Sequence, residues 1–171
     1  MKHFKKALSL IAASSISLIA SCSVGFTTIA DQQLRVNTGE IKPIWVTSKS
    51  HLMNSVYGVQ VDMNFSNLSD KTIKYITFYT LPFNPVGDVI VSEIGGKSLA
   101  ALEYTGPLES GGFTMTSWEN VWYNPTFSCF EINEMEIEYM DSTTLALSKT
   151  EVSKILMGST NKLISNSCAP K

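Results

Sequence analysis

Cysteine, histidine, glycine motifs and basic clusters are all sparse in this 171-residue chain, and each shortage closes off a chemistry. The three cysteines, Cys22, Cys129 and Cys168, show no Cys-x-x-Cys spacing and no neighbouring histidine, so a redox-active thiol pair lacks its usual sequence form. Of the two histidines only His51 lies past the first twenty residues, and one imidazole cannot build a histidine-based metal cage. His51 has no Gly-x-Ser-x-Gly turn to serve as base and stands among Ser50, Leu52, Met53 and Asn54, so it is expected as an exposed loop residue. Gly95-Gly96 and Gly111-Gly112 are isolated turn pairs with no phosphate-cradling pattern, which leaves no nucleotide site and no evident cofactor. A transmembrane helix needs about 20 apolar residues. The run from Ala7 to Ala20 has fourteen, four of them serines.

That run follows Lys2, Lys5 and Lys6 and ends in small residues, the pattern of a secretory leader. Its closing tetrad, Ile19-Ala20-Ser21-Cys22, resembles the lipobox of bacterial lipoproteins. The resemblance implies that residues 1–21 are removed as a signal peptide and that the Cys22 thiol carries diacylglycerol at the mature N-terminus. Two acyl chains on one residue meet the requirement for stable anchoring. Ser23 stands where an inner-membrane retention signal would show Asp, so the resemblance points to the outer membrane, on its periplasmic or surface face. An ordinary secretory leader would share the charge and apolar pattern.

The leader holds three of the thirteen basic residues and none of the fifteen acidic ones, leaving a mature chain of net charge about −5. Nucleic acid is therefore not an expected partner, and no basic cluster remains to grip anionic lipid. The 150 residues from Cys22 onward suit one domain. Residues 22–40, rich in Thr, Gln, Asn and Gly without sustained periodicity, are expected as a flexible tether, and residues 41–171 as the domain. With Cys22 given to the anchor, Cys129 and Cys168 remain an even pair in an oxidising compartment and are expected to bridge. Closing a loop of about 40 residues stabilises by roughly 4 kcal/mol in the chain-entropy model.

Strand signals dominate the domain. Ile41 to Thr47, behind Pro43, suits a sheet edge. Tyr57, Val59, Val61, Met63 and Phe65 alternate with Gly58, Gln60, Asp62 and Asn64, a strand with one dry face. After the polar turn Asn67–Asp70, Ile73 to Leu81 is β-branched and aromatic on both faces, as a central strand would be. Val89–Val91 and Leu99–Tyr104 are expected as shorter strands, and Phe113–Trp122 as a strand of looser alternation. In Phe130–Met140, Met135, Ile137 and Tyr139 oppose Glu134, Glu136 and Glu138, so the carboxylates read as a solvated face. Neighbours on such a row point in parallel and form neither a glycosidase cleft nor a calcium loop. Leu145 and Leu147 begin a return strand, and Ser148-Lys149-Thr150-Glu151 is a capping box that predicts a short helix ending near Gly158.

Seven or eight short strands with one late helix predict an all-β, antiparallel β-sandwich. Asn67-Leu68-Ser69-Asp70-Lys71-Thr72-Ile73-Lys74-Tyr75-Ile76 with Phe83-Asn84-Pro85-Val86-Gly87-Asp88 resembles the signature of small bacterial immunoglobulin-like modules of the FxLYD type. Thr105-Gly106-Pro107, Trp118 to Asn124 and Tyr139-Met140-Asp141 are similar to stretches of uncharacterised envelope proteins of that build. The resemblance spans roughly residues 41–147 and implies that the sandwich is immunoglobulin-like, a fold without an assigned chemistry.

Trp118, Val121, Trp122, Tyr123 and Phe127 form the densest aromatic cluster. A sandwich core takes a large aromatic plug, for which Trp118 is expected. Trp122, Tyr123 and Phe127 surround the turn at Asn124-Pro125 and are the candidate partner contacts, with the core as their other reading. No catalytic set and no metal site emerges. The expected function is a lipid-anchored, non-enzymatic binding or assembly module with an envelope protein as partner. A surface-exposed structural or adhesive lipoprotein and an envelope hydrolase are the alternatives.

Overall fold

The computed structural model describes Gly39, residues 42–156 and residues 164–168. The expected leader, Cys22 and all but one residue of the expected tether lie outside the described residues. The described chain forms strands β1 (Ile44–Met53), β2 (Gly58–Asn67), β3 (Ile73–Phe83), β4 (Ala100–Leu108), β5 (Phe113–Tyr123), β6 (Cys129–Tyr139) and β7 (Thr144–Ser148), then helix α1 (Lys149–Ile155). They build a two-sheet antiparallel sandwich, ordered β1-β2-β5 in one sheet and β4-β3-β6-β7 in the other. The all-β class, the edge position of β1, the inner position of β3 and the late helix are as the spacing predicts.

Period two explains the core. Val59, Val61, Met63 and Phe65 of β2 are fully buried and join Ile76 and Phe78 of β3 and Met135 and Ile137 of β6 in one cluster. Burying a side chain of this size contributes about 1.5–3 kcal/mol. Tyr57, counted with that alternation in the sequence, instead lies in the β1–β2 turn at φ 63° and is exposed. The opposite registers of β6 carry exposed Glu134 and Glu136 and half-buried Glu138, with Lys74 on Glu138 and the Tyr79 hydroxyl on Glu136.

Asn67 organises one end of the sandwich. Its buried amide donates to the carbonyls of Lys71, Leu108 and Glu109, while its oxygen accepts the Ser69 N–H and hydroxyl. The β2–β3 turn is thereby locked to the β4–β5 turn. Chain direction places the start of β1 at this same end, since Ile44 pairs with Asn67.

Three expectations along the chain are corrected. Val89–Val91 is not a strand, because only Val89 bridges to Phe83 before Ser92 N–H turns back to the Lys97 carbonyl. β4 runs through Gly106-Pro107 to Leu108 instead of stopping there. β1 continues to Met53, six residues past the expected strand, because β2 pairs with it along its whole length. The helix begins as the capping box predicts: the Glu151 carboxylate accepts the Ser148 N–H at 3.1 Å and the Ser148 hydroxyl at 2.9 Å. It ends at Ile155; the Gly158 stop lies outside the described residues.

Candidate functional site

The end opposite Asn67 is made of the β1–β2 tip, the long β3–β4 connection and the β5–β6 turn. Backbone and side-chain hydrogen bonds sew the three together. Asn124 N–H reaches the Tyr57 carbonyl at 3.2 Å, Glu93 N–H the Tyr123 carbonyl at 2.7 Å, and the Asn124 amide the Val91 carbonyl at 2.9 Å. The Ser92 hydroxyl accepts the Tyr123 N–H at 3.0 Å. Local turns hold each loop: the Asn84 side-chain oxygen takes the N–H of Val86 and Asp88, and that of Asn54 takes those of Val56 and Gly58. A Cβ on Gly58 would press on the ends of the Asn120 and Asn54 side chains, which would have to shift.

This end gathers the molecule's exposed apolar surface. Of twelve large hydrophobic side chains exposed among the described residues, nine sit on it: Leu52, Met53, Val56 and Tyr57 from the tip, and Val86, Val89, Val91, Ile94 and Leu99 from the β3–β4 connection. Single exposed apolar residues need no explanation, whereas a collection of them on hydrogen-bonded loops calls for one. The sequence holds a signal for it. Val86 stands in Pro-Val-Gly-Asp, Ile94 in Glu-Ile-Gly-Gly and Val56 in Asn-Ser-Val-Tyr-Gly, where no strand face exists to bury an apolar side chain.

The expected contact residues lie beneath that surface. Trp122 is 1% exposed and stacked on Phe127, itself 8% exposed, with ring centroids 5.8 Å apart. These two rings are the floor of the loop end; Tyr123 alone of the three is partly accessible. The fully buried tryptophan is thus Trp122 and not Trp118, which is half-buried and packs edge-on to Phe78. Each indole also closes a carbonyl on the β4 side: Trp122 donates to Ser98 at 2.7 Å and Trp118 to Glu103 at 2.8 Å.

His51 belongs to β1 and is half-buried, a correction to its expected place in an exposed loop. Its ring meets Phe127 edge-on at 4.9 Å and Phe130 at 6.4 Å. Burial, with the Lys49 charge adding to it, lowers its pKa below the ordinary histidine value.

A second polar centre, missed in the sequence, joins Lys49, Glu131 and residues 164–168. Lys49 donates to the Phe130 carbonyl at 2.8 Å and lies over the Phe130 ring, 4.8 Å from its centroid. Burial brings its pKa down to about 8 against the opposing pull of Glu131. Buried Glu131 accepts the Cys168 N–H at 2.7 Å and the Lys149 ammonium at 2.6 Å. Cys129 and Cys168 are joined in a disulfide, with Cα atoms 6.0 Å apart, the pairing the cysteine count predicts. The scattered polar letters of the tail gave no periodicity from which to find this centre. Among the described residues no cluster of three or more His, Cys, Asp or Glu side chains is placed to hold a metal ion.

No protein-family model matches the chain, and no curated protein matches it. Two solved structures show partial likeness. A GH3 β-glucosidase of Bifidobacterium adolescentis is 13% identical with a TM-score of 0.32, over 61% of this chain and 17% of that one. DesR, a β-glucosidase from Streptomyces venezuelae in complex with D-glucose, is 11% identical with a TM-score of 0.31, over 61% of this chain and 14% of that one. The chain therefore matches about a sixth of the length of those enzymes.

Proposed function

We propose that this chain is a lipid-anchored cell-envelope protein, held by diacylglycerol on Cys22, whose sandwich is a non-enzymatic module docking an envelope protein on its loop end. The observation that carries the reading is the separation of the two ends. β1 starts beside Asn67, and the exposed apolar loops lie at its far end, about 30 Å away for a strand of ten residues. A tether leading to Cys22 would leave from the Asn67 end, so the apolar loops would face away from the membrane. Rigid strands presenting apolar loops are the usual arrangement of a recognition surface. The FxLYD-type resemblance agrees with a module of this kind, and the acidic mature chain agrees with a lipid rather than an electrostatic hold on the membrane.

Photocrosslinking in the producing cells tests this. A photoreactive residue at Val86 or Val56 should give a discrete crosslinked band that one at Thr105, on the outer sheet face, does not give. Bands of equal strength from both places, or none from the loop positions, would remove the proposal. Intact-mass measurement of the membrane-extracted protein checks the anchor: a chain beginning at Cys22 with a diacylglycerol mass supports it, and an unmodified chain rejects it.

A further inference from the structure

A cleft of about 350 Å³ opens on the loop end between the β3–β4 connection and the last residues of β5. Ile94, Leu99, Ala100, Val121 and Trp122 line it, and Lys97 is the one charged residue in its wall. Lys97 differs from the other described lysines except Lys154, which lies on α1 outside this cleft. Lys42, Lys71, Lys74 and Lys149 each have a carboxylate at 2.6–2.7 Å, and Lys49 is spent on the Phe130 carbonyl. Lys97 is exposed, makes no ion pair with a described residue, and is the only cation in residues 52–58, 84–99 and 123–128. A cleft of mixed apolar and polar lining with one unspent ammonium suits a group that joins an apolar side chain to one negative charge.

We propose that this cleft receives the C-terminal residue of a protein partner, its apolar side chain seated against Ile94 and Leu99 and its free carboxylate on Lys97. The inference rests on the reading of the loop end as a docking surface. Size and edge chemistry select a chain end. The cleft lies at the small end of the roughly 300–1,000 Å³ range of ligand pockets, enough for one or two residues. A passing strand would find fewer acceptors beside the cleft, because the Ser98 and Glu103 carbonyls are already taken by the Trp122 and Trp118 indoles.

Amide NMR on the full chain in detergent micelles tests the proposal with three probes: acetyl-Gly-Gly-Leu as the free acid, the same peptide as its C-terminal amide, and isocaproate, which has the leucine skeleton without the peptide. The acid should give saturable shifts at Gly95, Gly96, Lys97 and the Trp122 indole N–H, and should bind at least about tenfold more tightly than the amide. Lys97→Gln should bring the acid down to the amide's affinity and leave the amide unchanged. Equal binding of acid and amide, no saturable shift up to about 10 mM, or isocaproate binding as well as the peptide acid would each overturn it. If these shifts fail while crosslinks from Val86 persist, the chain-end preference falls and the docking surface stands. If both fail, the wider reading falls with it.

Discussion

The side chain of Asn166 pairs in both directions with the backbone of Ile132: the Ile132 N–H donates to Oδ1 at 2.9 Å, and Nδ2 donates to the Ile132 carbonyl at 2.8 Å. β7 pairs with β6 only between Glu134 and Glu138, which leaves the first half of that strand edge without a neighbour. A single amide has a peptide group's donor and acceptor, so Asn166 takes the place of the missing strand. Lys49 closes the Phe130 carbonyl beside it, and the Glu131 carboxylate and the disulfide hold Cys168 beyond it. Side chains thus finish an edge that would otherwise be open to pairing with another chain.

Asn166→Ala should be among the most damaging substitutions of a polar residue in the protein. It strands a buried donor and a buried acceptor, each costing about 1–3 kcal/mol, so the loss should be about 2–6 kcal/mol. Urea unfolding should show a lower midpoint with an unchanged slope, while Ser165→Ala at the exposed neighbour should leave the midpoint in place. Similar midpoints for the two variants would show that the tail does not close the edge in solution.

The Cys129→Ala/Cys168→Ala double variant should keep the sheet content and lose about 2–4 kcal/mol, the usual effect of opening a loop of this length. Glu131 and Asn166 still bind the tail in that variant, so the native fold persists and the change appears in the denaturation midpoint. An unaltered midpoint in the double variant would mean that the bridge contributes nothing to the folded state.

Where local pattern and tertiary demand coincide, the letters were enough. Period two fixed β2 and β6, Ser148 with Glu151 fixed the helix start, and Asn67–Asp70 fixed a turn, because each is decided by residues within one turn or one strand. The second half of β1 was hidden, since Ser48-Lys49-Ser50-His51 has no apolar alternation. Its structure depends on β2 alongside and on the Phe130 carbonyl that draws Lys49 inward. The loop-end apolar residues were legible only as misfits inside turn clusters, and their convergence depends on three loops far apart in sequence. Trp118 and Trp122 share a strand face, and parity cannot rank them. Trp122 is the deeper because Phe127 and the Ser98 carbonyl roof it from other segments.

That ranking has a direct measure. Trp122→Ala should cost about 3–5 kcal/mol, the range for emptying a large aromatic site in a core. Trp118→Ala should cost less, because part of that ring already meets solvent and its neighbours can close over the gap. Denaturation midpoints of the two variants compared with the native chain decide it, and the reverse order would return Trp118 to the centre of the core.

Lys49 gives stability an unusual dependence on alkaline pH. Its pKa is about 8 in the folded protein, mainly through burial, against an ordinary lysine value of 10.5. Between those values the unfolded chain binds more protons than the folded one, so stability rises with pH from about 8. The rise is cut off near pH 10, where tyrosines begin to ionise in the unfolded chain. Burial raises the pKa of Tyr139, and the hydrogen bond to Glu136 raises that of Tyr79, so both hold their protons longer in the folded state and favour unfolding there. Urea midpoints measured between pH 7.5 and 9.5 should therefore climb in the native chain and stay level in Lys49→Met, which keeps the aliphatic stem and removes the titrating group. His51 contributes in the same direction at lower pH: its lowered pKa makes stability fall as pH drops below the ordinary histidine value of 6.5. A level profile in the native chain above pH 8, or the same climb in Lys49→Met, would show that the Lys49 ammonium is not held out of water beside Phe130.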